Sequence, residues 1–125
     1  MPSPLILIVE RHEGLRSELR RRLSQSCPEW RIEEAADGEA AVSLTVQLNP
    51  DVVLMEVILP KIGGIEAIRQ ITKDRPKTKV VVFSLHDEAP FQKRAYEAGA
   101  FAYLGKGKPF PDILAAIRSA LGEAV

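Results

Sequence analysis

Glu56 ends an apolar run, Asp51-Val52-Val53-Leu54-Met55-Glu56, that breaks at once into Leu59-Pro60 and Gly63-Gly64. A hydrophobic strand that carries one acid to its C-terminal end delivers it to the rim of a parallel sheet, where open α/β sheets build their sites. Three more runs end in groups capable of chemistry: Glu10-Arg11-His12, Ser84-Leu85-His86-Asp87 and Tyr103-Leu104-Gly105-Lys106. Acids, a hydroxyl and an ammonium converging on one rim can bind a phosphate or a metal. The plainer reading of the same groups is a structural ion-pair cluster. Glutamate at 56 and arginine at 11 bear directly on that choice.

The elements that would position these groups are legible as alternation. Five short apolar runs, Leu5–Val9, Trp30–Ala35, Val52–Met55, Lys79–Phe83 and Phe101–Leu104, are separated by longer segments of helical periodicity. Three of the runs lack polar alternation, as strands covered on both faces do, whereas the mixed Trp30–Ala35 reads as an edge strand. Leu15, Leu19 and Leu23 mark the stripe of a first helix, with Arg16, Arg20, Arg21 and Arg22 off it as a solvated face. Asp37 N-caps a second helix that Asn49-Pro50 closes; a third runs from Gly64 to Asp74. A fourth begins near Asp87 and stops at Ala98-Gly99, and a fifth opens at Pro111-Asp112. Five strands alternating with five helices imply one parallel sheet with helices on both faces.

Composition narrows the function classes. The chain has 125 residues, which suits one domain spanning 1–125 with an ordered core of about 4–122. Hydrophobic residues make up 46% and charged residues 27%, an ordinary globular mixture. Lys plus Arg equals Asp plus Glu at 17 each, which gives no electrostatic reason to expect direct nucleic-acid or membrane contact. Cys27 is the single cysteine, expected to be apolar filler at a helix end. Met-Pro-Ser-Pro lacks a basic leader and Leu5–Val9 is too short to span a bilayer, so the expected compartment is the cytoplasm.

Along essentially its whole length the chain resembles the receiver domain of bacterial two-component response regulators. Leu5 to His12 is similar to that family's first strand, which normally ends in two adjacent aspartates. Pro50 to Pro60 resembles the phospho-acceptor segment, with the proline four residues after the acceptor and Gly64 eight after it. Val80-Val81-Val82-Phe83-Ser84 resembles the strand ending in the switch hydroxyl. Ala98-Gly99-Ala100 with Tyr103 and Lys106 resembles the fifth strand, its switch aromatic and its lysine. Lys108-Pro109-Phe110 competes for the lysine assignment but would need a two-residue insertion, so Lys106 is preferred. The resemblance implies a flavodoxin-like (βα)5 three-layer sandwich with strand order 2-1-3-4-5.

Two positions depart from the pattern. Family receivers use acids at the first and third strands to hold Mg2+, which neutralises the incoming phosphoryl oxygens. Mg2+ requires near-ideal octahedral oxygen geometry. Arg11 occupies the second acidic position as a permanent cation, and Glu56 occupies the acceptor position one methylene too long. A displacement of about 1 Å can cost a hundredfold in rate. Only Glu10 and Glu56 remain as candidate ligands, so no cofactor is expected; Mg2+ enters only if the site retains its function. Arg11 is expected to stand in for the metal and pair with a carboxylate, while Glu56 reaches toward Ser84 or Lys106. Leu85, after the switch hydroxyl, is expected to crowd the approach.

The expected function is a non-enzymatic pseudo-receiver that signals by protein contact. Its expected partners are a histidine kinase, an output domain, or a second copy through the face of helix four, strand five and helix five. A conventional phospho-accepting receiver is the alternative. A small metal-dependent hydrolase built on Ser84, His86 and Asp87 is the reading of another class. Residues so close in one loop do not readily adopt triad geometry, and only His12 and His86 supply imidazoles.

Overall fold

The computed structural model describes residues 3–123; Met1, Pro2, Ala124 and Val125 of the expected 1–125 span lie outside the described residues. Ten elements alternate: β1 Leu5–Val9, α1 Glu13–Ser26, β2 Arg31–Ala35, α2 Gly38–Leu48, β3 Val52–Met55, α3 Gly64–Asp74, β4 Lys79–Ser84, α4 Ala89–Ala98, β5 Ala102–Gly105 and α5 Phe110–Ala120. The strands form one parallel sheet in the order β2-β1-β3-β4-β5, the flavodoxin-like arrangement.

Burial explains the strand compositions. Every residue of β1 and β3 is buried, because helices cover both faces of the sheet centre. On one face Ile6, Ile8, Leu54, Val81 and Phe83 pack with Leu19 and Leu23 of α1 and Ile113 and Ile117 of α5. On the other, Leu7, Val9, Val53, Met55, Val80 and Val82 pack with α2, α3 and α4 through Ala41, Ile68, Ile71 and Ala95. The two sets alternate along each strand, as the pleat requires. β2 mixes exposed, half-buried and buried positions and lies at one edge, as its mixed composition predicts.

Helix ends follow local chemistry. Asp37 caps α2 by accepting the Ala40 amide at 2.7 Å, and Asn49 closes that helix with φ of 51°. Gly99 ends α4 at φ of +117°, where a Cβ would also collide with Thr72. α4 begins at Ala89, two residues beyond the expected Asp87, because Asp87 and Glu88 extend the preceding loop. α5 begins at Phe110, one residue before the expected Pro111. Cys27 is buried at the α1 C-cap, as filler.

Candidate functional site

Register sets the two acids side by side. Val9 pairs with Met55 across β1 and β3, so Glu10 and Glu56 leave adjacent strands at the same level. The Glu56 amide continues the ladder to the Val9 carbonyl at 3.0 Å, and the Glu10 amide to Ala35 at 3.1 Å. Val9 and Met55 face the α2–α4 layer, so the alternation turns both acids toward the opposite side. Both are nearly sealed from solvent, at 2% and 6% exposure.

Lys106 reaches them from across the sheet. Gly105 pairs with Ser84, and the Lys106 amide bonds the Ser84 carbonyl at 2.8 Å. Neighbouring strands lie about 4.8 Å apart, so the lysine stem must pass over β4 to meet β3 and β1. Ser84, small and fully buried, ends β4 at that crossing. The Lys106 ammonium lies 2.8 Å from Glu10 Oε1 and 2.5 Å from Glu56 Oε1.

The remaining carboxylate oxygens are satisfied by main chain. Glu10 Oε2 accepts the His12 amide at 3.0 Å, and Glu56 Oε2 accepts Val57 at 2.6 Å and Ile58 at 3.2 Å. Two buried acids and one ammonium leave one net negative charge, spread over these amides. Burial alone would raise the Glu56 pKa, but bonds from Lys106, Ser84 and the Ile58 amide together hold it below the ordinary carboxylate value. Burial likewise opposes the charge on Lys106, yet Glu10 and Glu56 hold its pKa above the ordinary lysine value. Glu56 and Lys106 are both charged at neutral pH in consequence.

The loop after Glu56 is shaped to bring its amides back. The Gly64 amide bonds the Val57 carbonyl at 2.7 Å, and a Cβ at Gly64 would lie 2.4 Å from the Glu56 carbonyl. No other residue type fits that approach. Lys61 takes a left-handed φ of 66° in the same loop, and its ammonium lies 3.7 Å from Asp37.

On the β4 side, the Ser84 hydroxyl accepts the His86 amide at 3.1 Å, and the Tyr103 hydroxyl donates to the His86 carbonyl. Burial pushes the Tyr103 hydroxyl pKa up, and the charges of Glu56, Glu88 and Asp87 add to it. The His86 ring packs against Phe91 at 5.2 Å between centroids. The Ser84 hydroxyl thus meets the His86 main chain, while the His86 ring packs on Phe91.

Two expectations are corrected. Arg11 does not enter the pocket. It is exposed at the lip, and among the described residues it forms no ion pair; Lys106 holds both acids instead. Glu10 turns into the pocket, and the next residue along an extended chain leaves from the opposite side. Leu85 does not crowd the approach either, since it projects outward at 73% exposure. Lys108 is exposed, so the lysine in the pocket is Lys106.

Of the four α1 arginines expected on a solvated face, Arg20, Arg21 and Arg22 are exposed and Arg16 is half-buried. Each of the four has a partner. Arg16 and Arg20 both bond Glu34, Arg21 pairs with Glu18, and Arg22 lies 4.3 Å over the Phe110 ring. Arg16 also reaches the Glu10 carbonyl at 2.7 Å. The spacing of Arg16 and Arg20 four residues apart puts both on one helix face, but which acid they share depends on how α1 packs beside β2.

The profile of the family described as "Response regulator receiver domain" matches residues 6–118. The chain belongs to the response regulator receiver family. It is 38% identical over 113 residues to "Response regulator GacA" of Pseudomonas aeruginosa, covering 90% of this chain and 53% of that protein. It is 37% identical over 114 residues to "Response regulator UvrY" of Escherichia coli, covering 91% and 52%. The chain therefore spans about half the length of these curated relatives. Among solved structures it is similar to a LuxR-family two-component response regulator from Aurantimonas, at 33% identity and TM-score 0.88, covering 96% and 86%. It is also similar to the receiver domain of the response regulator NarL from Mycobacterium tuberculosis, at 25% identity and TM-score 0.90, covering 99% and 100%.

Family membership implies Mg2+, so the fit of the donor set matters. Mg2+ keeps several waters and is held through one or two carboxylates whose oxygens must be free to coordinate it. Here only two carboxylates meet, both already bonded by Lys106 and by main-chain amides. Among the described residues no group of three His, Cys, Asp or Glu side chains could hold a metal. The arrangement does not fit the ion without displacing the lysine.

Proposed function

We propose that this receiver domain transmits signals by protein–protein contact without Mg2+-dependent aspartyl phosphorylation, and that it is not an enzyme. One observation carries the reading: Lys106 bridges Glu10 and Glu56, so an internal ammonium occupies the space between the acids. Phosphoryl transfer depends on positioning and charge neutralisation of the incoming group. A glutamate whose carboxylate already accepts from an ammonium and two amides is poorly placed to attack. Glu10, Glu56, Ser84, Tyr103 and Lys106 then act as a fixed structural cluster, with Arg11 at its lip.

The proposed partners are proteins: a histidine kinase, an output domain, or a second copy through the α4–β5–α5 face. No direct nucleic-acid or membrane contact by this domain is part of the reading. Among the described residues no helix is long and apolar enough to cross a membrane. A cytoplasmic location belongs to the same proposal.

The test is incubation with Mg2+ and acetyl phosphate, followed by intact mass, with amide shifts recorded in beryllofluoride. The expected result is unchanged mass and unchanged shifts at Glu10, Glu56 and Ser84. A phosphate mass gain, or saturable shifts at those residues, would support the conventional receiver suggested by kinship to the GacA and UvrY regulators. The double change Arg11→Asp with Glu56→Asp serves as the positive control, since it restores the acids the family uses.

A further inference from the structure

Glu10 has every polar group engaged. Its amide meets Ala35, one carboxylate oxygen meets Lys106, the other meets the His12 amide, and its carbonyl accepts Arg16 Nη1 at 2.7 Å. Arg16 is itself held. Its Nε donates to Glu34 Oε1 at 2.8 Å, while Arg20 takes Glu34 Oε2 at 2.6 Å. A guanidinium presents donors in a rigid plane, so one anchored edge fixes where the other edge points. Burial of Glu34 would raise its pKa, but the bonds from Arg20 and Arg16 hold it down, so the anchor stays charged.

We infer that Arg16, anchored by Glu34, is the positioning residue that fixes Glu10 against Lys106, which makes α1 and the edge strand β2 part of the carboxylate pocket. The peptide following Glu10 is planar, so fixing its carbonyl fixes the direction in which the chain leaves β1. That direction places the His12 amide under Glu10 Oε2. A disturbance at the exposed Arg20–Glu34 pair therefore reaches the pocket through one side chain. The inference rests on the pocket reading above.

The experiment compares the 125-residue chain with its Arg16→Ala, Glu34→Gln and Arg21→Ala variants. It reads amide hydrogen exchange at His12 and the ammonium NMR signal of Lys106. Exchange at core amides of β4 corrects for any change in global stability. Arg16→Ala is expected to speed His12 exchange on the order of tenfold beyond that correction, as loss of a hydrogen bond to a charged group does. It should also move the Lys106 signal. Glu34→Gln should give the same change at smaller size, and Arg21→Ala, in an exposed pair, none. If Arg16→Ala and Glu34→Gln shift only global stability, with His12 and Lys106 unmoved, Arg16 is a surface brace and the inference is overturned. A wild-type Lys106 ammonium without protection from exchange would overturn the pocket reading itself.

Discussion

Lys106 and Arg11 are the two cations the chain sends toward the carboxylate rim, and they end in opposite environments. Lys106 starts three strands away from Glu10 across the sheet, is 11% exposed in its side chain and touches both acids. Arg11 adjoins Glu10 in sequence and lies in solvent. Proximity along the chain was the poorer guide, because the direction of a side chain at a strand end is set by pleat and register. A long flexible stem crossing over a small residue reaches the pocket. A neighbour on the turn, pointing the other way, does not.

The comparison is broken most severely by removing the buried cation. Lys106→Met leaves two buried acids without a counter-ion, and stripping one partner from a buried ion pair costs about 3–5 kcal/mol. Urea unfolding should show a loss of that size, and adding Glu56→Gln to the variant should recover part of it. A Lys106→Met protein as stable as the wild type would mean the acids are not held by the lysine.

Glu56→Asp comes next. Shortening the side chain cannot keep both the ammonium and the Val57 and Ile58 amides within bonding distance. Loss of one charge-assisted bond predicts about 2 kcal/mol of destabilisation. Unchanged unfolding midpoints in urea would show that the longer acid has no structural role.

The pH profile sharpens the same point. Glu56 has its folded-state pKa depressed from 4.5, so its contribution is complete above pH 4.5 and is lost as pH falls through the lower folded value. Lys106 has its pKa raised from 10.5, so its contribution is complete below pH 10.5 and is lost as pH rises through the higher folded value. Urea midpoints should therefore be flat between these limits and fall on both sides. In Lys106→Met the acid limb should be shallower; an identical acid limb would place the depression of Glu56 elsewhere.

Arg11→Ala should have the smallest effect, within about 0.5 kcal/mol, as exposed substitutions do. A thermal unfolding scan separates this from the internal-pair expectation, which requires a large drop.

The fold was legible because its signals are repetitive. Leu5–Val9 and Val52–Met55 have no polar alternation, and Asp37, Asn49-Pro50 and Gly99 punctuate the helices by simple steric and capping rules. The identities meeting at the rim were legible for Glu10, Glu56, Ser84 and Lys106, since each follows directly from a strand end. What was not legible depends on orientation. The outward turn of Arg11 and Leu85 requires knowing which face each leaves from. The Arg16 bridge requires the lateral neighbour relation of α1 and β2, which composition does not encode. The capping of Glu56 by its own following amides depends on the path of the loop to Gly64.

A Mg2+ titration of the wild-type chain, followed by amide shifts of Glu10, Val57, Ile58 and Lys106, tests the central claim most directly. With the ammonium seated between the acids, these four signals should stay in place through millimolar Mg2+. A saturable movement confined to them, accompanied by release of the Lys106 ammonium to rapid exchange, would contradict the account.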